Sequence, residues 1–171
     1  MAPQLRFALA ALLLASSLAL AACESSGSKG STSPGDVAGL VVSLNVDSQV
    51  RAGETVSLRL TVRNVSDRPV QLALAGQQST GFADSYDLVV TRPDGAEVWR
   101  FAHGQAFEGI LSFKTLRPGE ELILKGEWDQ RDNRGHTVTP GTYLMRGVFK
   151  YGDPPDVQTL ETEPSTLSIS R

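Results

Sequence analysis

The sequence predicts an all-β fold, an immunoglobulin-like antiparallel β-sandwich of about seven to nine strands, from residue 37 to residue 171. Three observations carry this. Apolar residues recur with a period of two in run after run, Gly/Pro-rich turn signals separate the runs at short intervals, and no useful window beyond the first 36 residues keeps a 3.6-residue period.

The elements follow in order. "LVVSLNV" places Leu40, Val42, Leu44 and Val46 on one face. "VSLRLTVRN" alternates Val56, Leu58, Leu60 and Val62 with Ser57, Arg59, Thr61 and Arg63, the mark of a strand with one face in the core and one in water. "PVQLAL" repeats the pattern with Val70, Leu72 and Leu74. Tyr86–Arg92 and Glu97–Phe101 read as a hairpin about Pro93-Asp94-Gly95. Proline presets φ, aspartate bonds its own backbone and glycine takes the left-handed position. Simple alternation puts Glu97, Trp99 and Phe101 on one face of the second strand and Val98 and Arg100 on the other. Trp99 is large enough to be expected in the core. "LILKGEW" offers Leu122, Leu124 and Trp128 with Gly126 among them, "YLMRGVFKY" offers Tyr143, Met145, Phe149 and Tyr151, and "STLSIS" closes with Leu167 and Ile169. The turns between runs are "RAGE", "VSDRP", "RPDG", "RPGE", "TPGT" and "YGDPPD". One cysteine in 171 residues allows no internal disulfide, so packing alone must join the two sheets.

Charged residues make up 20% and hydrophobic ones 40%, an ordinary balance for a folded domain. Net charge is −3, and no Lys/Arg cluster calls for a nucleic-acid partner.

The first 36 residues are of another kind. "MAPQLRFALAALLLASSLALAAC" carries one basic residue, Arg6, then an apolar run that is short for a membrane span and ends in small residues, as a secretory signal does. Leu20-Ala21-Ala22-Cys23 resembles the bacterial lipobox. That resemblance implies cleavage of residues 1–22, lipidation of Cys23 and acylation of the new amine. Several acyl chains anchor a protein stably where one does so only marginally. The mature chain would then carry 15 basic and 19 acidic side chains, net −4. Glu24 stands where Gram-negative lipoproteins retained at the inner membrane commonly have aspartate, which points to the outer membrane. Residues 23–36 form a lipid-anchored Ser/Gly-rich linker with a reach of roughly 20 Å.

Several steps along the domain, taken in sequence, resemble the BsuPI-type intracellular proteinase inhibitors of bacteria. They are Thr80-Gly81 to Tyr86-Asp87, Asp94-Gly95, Glu97-Val98-Trp99-Arg100, Gly104 to Phe107, "LRPGE" at Leu116–Glu120, Trp128 and "PGTY" at Pro140–Tyr143. The resemblance runs from about Val70 to Phe149. It implies a compact β-sandwich and inhibition of serine proteinases. An export signal departs from the family's intracellular name and puts the target in doubt.

Catalytic chemistry finds little to stand on. A nucleophile needs a base, usually histidine, and His103 and His136 lie in no recognisable motif. "WDQRDNRGH" clusters Asp129, Asp132, Asn133 and His136, but its spacing misses the alternating oxygen ligands of a calcium loop. The expectation is a chain that is not an enzyme, with no metal site and no cofactor. An inhibitor needs an exposed loop instead, rigid and extended, that fills the enzyme cleft as a substrate does but is not released. Three loops qualify. Gly76–Ser85 offers Phe82 and Ala102–Gly109 offers Phe107, each for an apolar specificity pocket. Asp129–His136 offers Arg131 and Arg134 for an acidic, trypsin-like one. Two readings stay open. One is a membrane-anchored inhibitor of a secreted or periplasmic serine proteinase. The other is an envelope accessory lipoprotein whose sandwich docks another envelope protein without inhibiting it.

Overall fold

A computed structural model describes residues 39–75, 84–106, 110–152 and 155–171. Within them the chain is all-β, with eleven strands. Seven runs of alternating residues became strands largely as read: β1 (Leu40–Asn45), β3 (Val56–Asn64), β4 (Val70–Ala75), β5 (Tyr86–Thr91), β8 (Glu121–Trp128), β9 (Gly141–Tyr151) and β11 (Ser165–Ser170). The second arm of the expected hairpin is β6 (Glu97–Arg100). The sequence pattern gave no sign of β2 (Gln49–Arg51), β7 (Leu111–Leu116) or β10 (Gln158–Glu161). β2 is three residues long, β10 has a single core residue in Leu160, and β7 points Phe113 outward at 63% exposure, so none carries a readable apolar face.

One sheet orders its strands β1-β3-β8. The larger one runs β2-β11-β9-β5-β6, with β10 also on β9. Pairing is antiparallel except for β2 beside β11. A third ladder, β4-β7, continues the β3–β8 ribbon round a corner, since β3 leads into β4 and β7 into β8. Asn64 makes that corner. It is fully buried, its Nδ2 donates to the carbonyls of Arg68 at 2.8 Å and Leu116 at 2.9 Å, and its Oδ1 accepts the Ser66 amide and hydroxyl. A buried amide is tolerated only when its bonds are made, and here both ends are satisfied.

The inner faces of the two large sheets interlock. Leu58, Leu60, Val62, Leu122, Leu124 and Trp128 from one meet Tyr86, Leu88, Val90, Met145, Phe149 and Leu167 from the other, all buried. At the β5–β6 turn, Gly95 has φ of +87° and its N–H donates to the Arg92 carbonyl, which accounts for the glycine there. The Tyr143 hydroxyl donates back to the Thr139 carbonyl at 2.6 Å, the tyrosine corner of immunoglobulin-like sandwiches. An aromatic file closes the seam between the edges β6 and β8, with Tyr86–Phe101, Phe101–Trp99, Trp99–Trp128 and Trp128–Tyr143 in ring contact.

Two expectations for β6 are corrected. A β-bulge shifts the β5–β6 register between Val90 and Thr91. Alternation is interrupted there, so Glu97 and Arg100 form an ion pair at 2.8 Å instead of lying on opposite faces. Trp99 stays opposite the buried Val90 and packs against the core, but β6 is the edge strand and leaves it half-buried, while Trp128 is the tryptophan with no exposed surface.

Candidate functional site

The expected leader (1–22), the expected lipidation site Cys23, the expected linker, Phe82 and Phe107 lie outside the described residues. The stems of the two phenylalanine loops are described. Ala75 pairs with Leu111 where the β4–β7 ladder ends, and the Ser85 hydroxyl accepts the Ala75 amide proton at 2.7 Å. Both loops therefore leave one shared stem. The loop with Arg131 and Arg134 leaves the opposite end, where β8 passes over to β9.

That loop is bound from its root upward. The Trp128 indole N–H donates to the Arg131 carbonyl at 2.7 Å, and Arg131 bridges Thr137 across the loop. Gln130 is 1% exposed and sits at φ of +59°, so its side chain must find partners inside. It does: Nε2 donates to the carbonyls of Arg51 and Glu54, each at 2.7 Å, and Oε1 accepts the Gly53 amide at 2.9 Å. The β2–β3 turn and the Arg loop are thereby joined. Asp132 closes the tip. Its Oδ1 accepts the amides of Arg134 and His136, each at 2.9 Å, and its carbonyl accepts the Gly135 amide. The His136 amide bond, with that of Arg134 behind it, holds the Asp132 carboxyl below the usual carboxylate range.

Asn133 fastens the tip to β6. Its amide donates to the Val98 carbonyl at 2.9 Å, its Oδ1 accepts the Arg100 amide at 2.9 Å, and its Nδ2 donates to Glu97 Oε1 at 3.0 Å. Glu97 is itself held by Arg100 through Nε and Nη2. That pairing, ahead of the Asn133 bond, keeps its carboxyl below the usual range and raises the Arg100 guanidinium. Arg100 Nη1 reaches Asp87 Oδ2 at 2.9 Å. Asp87, 4% exposed, also accepts the amides of Leu88 and Ala102 through Oδ1. The carboxylate in the Tyr86-Asp87 step is thus a strand-to-strand tie.

The two sequence-proposed arginines have different situations. Arg131 Nη1 donates to the Gly135 carbonyl at 2.7 Å and its Nε lies 3.4 Å from Asp129, so its guanidinium braces the turn. Arg134 is exposed, and among the described residues its guanidinium makes no hydrogen bond or ion pair. It lines a cleft of about 450 Å³ with Arg92, Glu97, Asn133 and Thr139. Both carboxylates in that cleft, Glu97 and Asp132, are engaged internally as described, which leaves outward-facing donors. Among the described residues no three His, Cys, Asp or Glu side chains gather as metal ligands would.

Residues 42–152 match the family model described as BsuPI, intracellular proteinase inhibitor. The chain belongs to that family. The match extends past the Val70–Phe149 stretch in both directions, so the BsuPI-type domain takes in β3 and most of β1 as well. No curated protein matches the chain. Among solved structures it is similar to a β-glucosidase from Erythrobacter marinus, at 16% identity and a TM-score of 0.38, over 76% of this chain and 15% of that one. An alkylpurine DNA glycosylase from Pseudomonas fluorescens aligns at 13% identity and 0.38, over 76% and 30%. A CARDB domain from Pyrococcus furiosus aligns at 12% identity and 0.39, over 76% and 86%. This chain spans less than a third of the first two proteins.

Asn133, Gln130 and Asp87 are the residues sequence reading missed at this site. Asp87 lies in the Tyr86-Asp87 step that resembles the family. Asn133 stands in the sequence only among the oxygen ligands of a spacing that misses a calcium loop, and Gln130 carries no signal there.

Proposed function

We propose that this BsuPI-type protein restrains a trypsin-like serine proteinase by placing Arg134 in the enzyme's acidic specificity pocket, while lipidated Cys23 keeps it at the cell envelope. The observation that carries the reading is Arg134 itself, whose guanidinium is unengaged among the described residues, at the tip of a turn held by the bonds of Asp132 and Asn133. A turn whose backbone is already held loses little freedom on binding, and that is where a rigid inhibitor gains its affinity.

The shape of the tip sets the mode. Asp132 to Gly135 is a tight turn closed by the Gly135 amide on the Asp132 carbonyl. The tip is therefore not the extended, substrate-like loop expected: a turn presents a side chain as a point and does not lie along a proteinase cleft. No peptide bond is then aligned for attack, so the inhibitor is not consumed. Arg131 serves as the brace and Arg134 as the contact. The leader and lipobox argue for an exported target, which reconciles an inhibitor family of intracellular name with a chain bound for the envelope.

The test is residual activity of trypsin-like and subtilisin-like enzymes titrated with the mature chain. The trypsin-like class should slow, with the effect lost in Arg134→Ala and kept in chelator and in His103→Ala with His136→Ala. Slowing of the subtilisin-like class alone would move the contact to Phe82 or Phe107. If neither class responds at micromolar protein, the envelope-docking reading replaces this one.

A further inference from the structure

We infer that Asn133 is the positioning residue of the Arg134 turn, acting as a one-residue substitute strand on the outer edge of β6. The inference rests on the proposed contact for its functional meaning, though its geometry stands independently.

β6 is the last strand of its sheet and is paired on one side only, with β5. An open edge offers alternating carbonyls and amides to whatever comes beside it. Asn133 takes one of each. Its backbone N–H fills the Val98 carbonyl, and its side-chain oxygen receives the Arg100 amide, as the carbonyl of a neighbouring strand would. The remaining donor, Nδ2, goes to Glu97. The acceptor for that third bond is fixed in turn, because Glu97 is clasped by Arg100 and Arg100 is bonded to the buried Asp87. Three bonds from one side chain and its own amide thus join the turn to a strand 33 residues away in sequence. Arg134 is the next residue, so its direction follows from theirs.

Few side chains satisfy these demands together. Alanine leaves the Arg100 amide without its acceptor. Aspartate keeps an acceptor but loses the donor and sets a carboxylate against Glu97, where like charges repel. The Asp132 turn would still close through its own bonds to Gly135 and His136, yet it would pivot at its root near Gln130 and Trp128.

The experiment uses the full mature chain as wild type, Asn133→Ala, Asn133→Asp and the double variant Asn133→Asp with Glu97→Gln. Amide exchange is read at Gly135 and His136, whose acceptors on Asp132 survive every substitution. Both should exchange at least about ten-fold faster in the two single variants, because opening of the turn becomes easier. The double variant should recover part of the protection, since a glutamine at 97 can donate to the new carboxylate. In the inhibition assay Asn133→Ala should weaken the effect on a trypsin-like enzyme by about ten-fold with Arg134 still present, because the ordering cost returns. Arg134→Ala should then add less in that background than in wild type. Unchanged exchange at Gly135 and His136 would overturn the inference. So would an equal rise across β5 and β9, which would make Asn133 a residue of global stability only. If the wild type inhibits nothing, the proteinase reading falls, and exchange still decides the positioning role.

Discussion

Leu88 of β5 ends where the side chain of Gly126 on β8 would begin. A Cβ at Gly126 would collide with Leu88 Cδ1, and across the core a Cβ at Gly147 on β9 would stand 2.6 Å from Leu60 Cδ1 on β3. Each large sheet therefore lends the other one glycine socket and one leucine. This reciprocal fit helps hold together a sandwich that has no disulfide to join its sheets.

Filling a socket should be costly. Gly126→Ala and Gly147→Ala are each expected to lose roughly 1–3 kcal/mol by overpacking, measured by urea unfolding. Shortening Leu88 to Ala beside Gly126→Ala should cost less than the two single losses added, because the new methyl occupies vacated space. Strict additivity would mean that the contact is not the cause.

The two tryptophans should separate by burial. Trp128, with no exposed surface and a bonded indole N–H, should lose roughly 3–5 kcal/mol on change to Ala. Trp99, half-buried at the rim, should lose about 2 kcal/mol. Denaturation midpoints in the reverse order would contradict the assignment of the core tryptophan.

The corner residue gives a third expectation. Asn64→Ala removes the partner of the buried Leu116 carbonyl, and an orphaned buried acceptor costs roughly 1–3 kcal/mol. Amide exchange should rise first at Gly119 and Asn64, whose groups pair across the same corner. A loss of stability without that local rise would point elsewhere.

Glu97 sets a pH window. Its carboxyl is lowered in the fold by Arg100, so its stabilisation is complete above the unfolded carboxylate value, about 4.3, and is lost as pH falls through the lower folded value. Wild type should therefore exceed Glu97→Gln in thermal midpoint at neutral pH, with the gap closing at acid pH. A gap that stays constant from pH 7 to pH 3 would show that the charge is not what matters. Tyr86 works in the other direction. Burial, with Asp87 nearby, raises its hydroxyl, so its contribution is full below about 10 and fades as pH climbs beyond.

At the N-terminus, Cys23→Ser is expected to abolish incorporation of a labelled fatty acid and to leave uncleaved or poorly anchored protein. A hydroxyl oxygen does not replace the thiolate in thioether formation. Equal labelling of both forms would end the lipoprotein reading.

The amino-acid sequence by itself determined which side of each strand faces inward. The rows Val56–Leu58–Leu60–Val62 and Tyr86–Leu88–Val90 were legible because side chains alternate with a period of two, and burial imposes that period locally. It also settled the Gly95 turn, whose positive φ needs no distant partner, and the ordered motifs by which the family could be recognised. Tertiary structure decided the rest. The bulge in β6 depends on how β5 lies beside it, and the half-burial of Trp99, against the full burial of Trp128, follows from the place of β6 at the edge of its sheet. Gly126 read as a gap in a strand until Leu88 filled it from the other sheet. Arg131 and Arg134 were equivalent as letters. One became a brace and the other a free cation only because Asp132 and Asn133 folded the loop back onto itself and onto β6. Periodicity records the environment a residue requires, whereas the partner that supplies it comes from chain remote in sequence, and only the folded packing brings the two together.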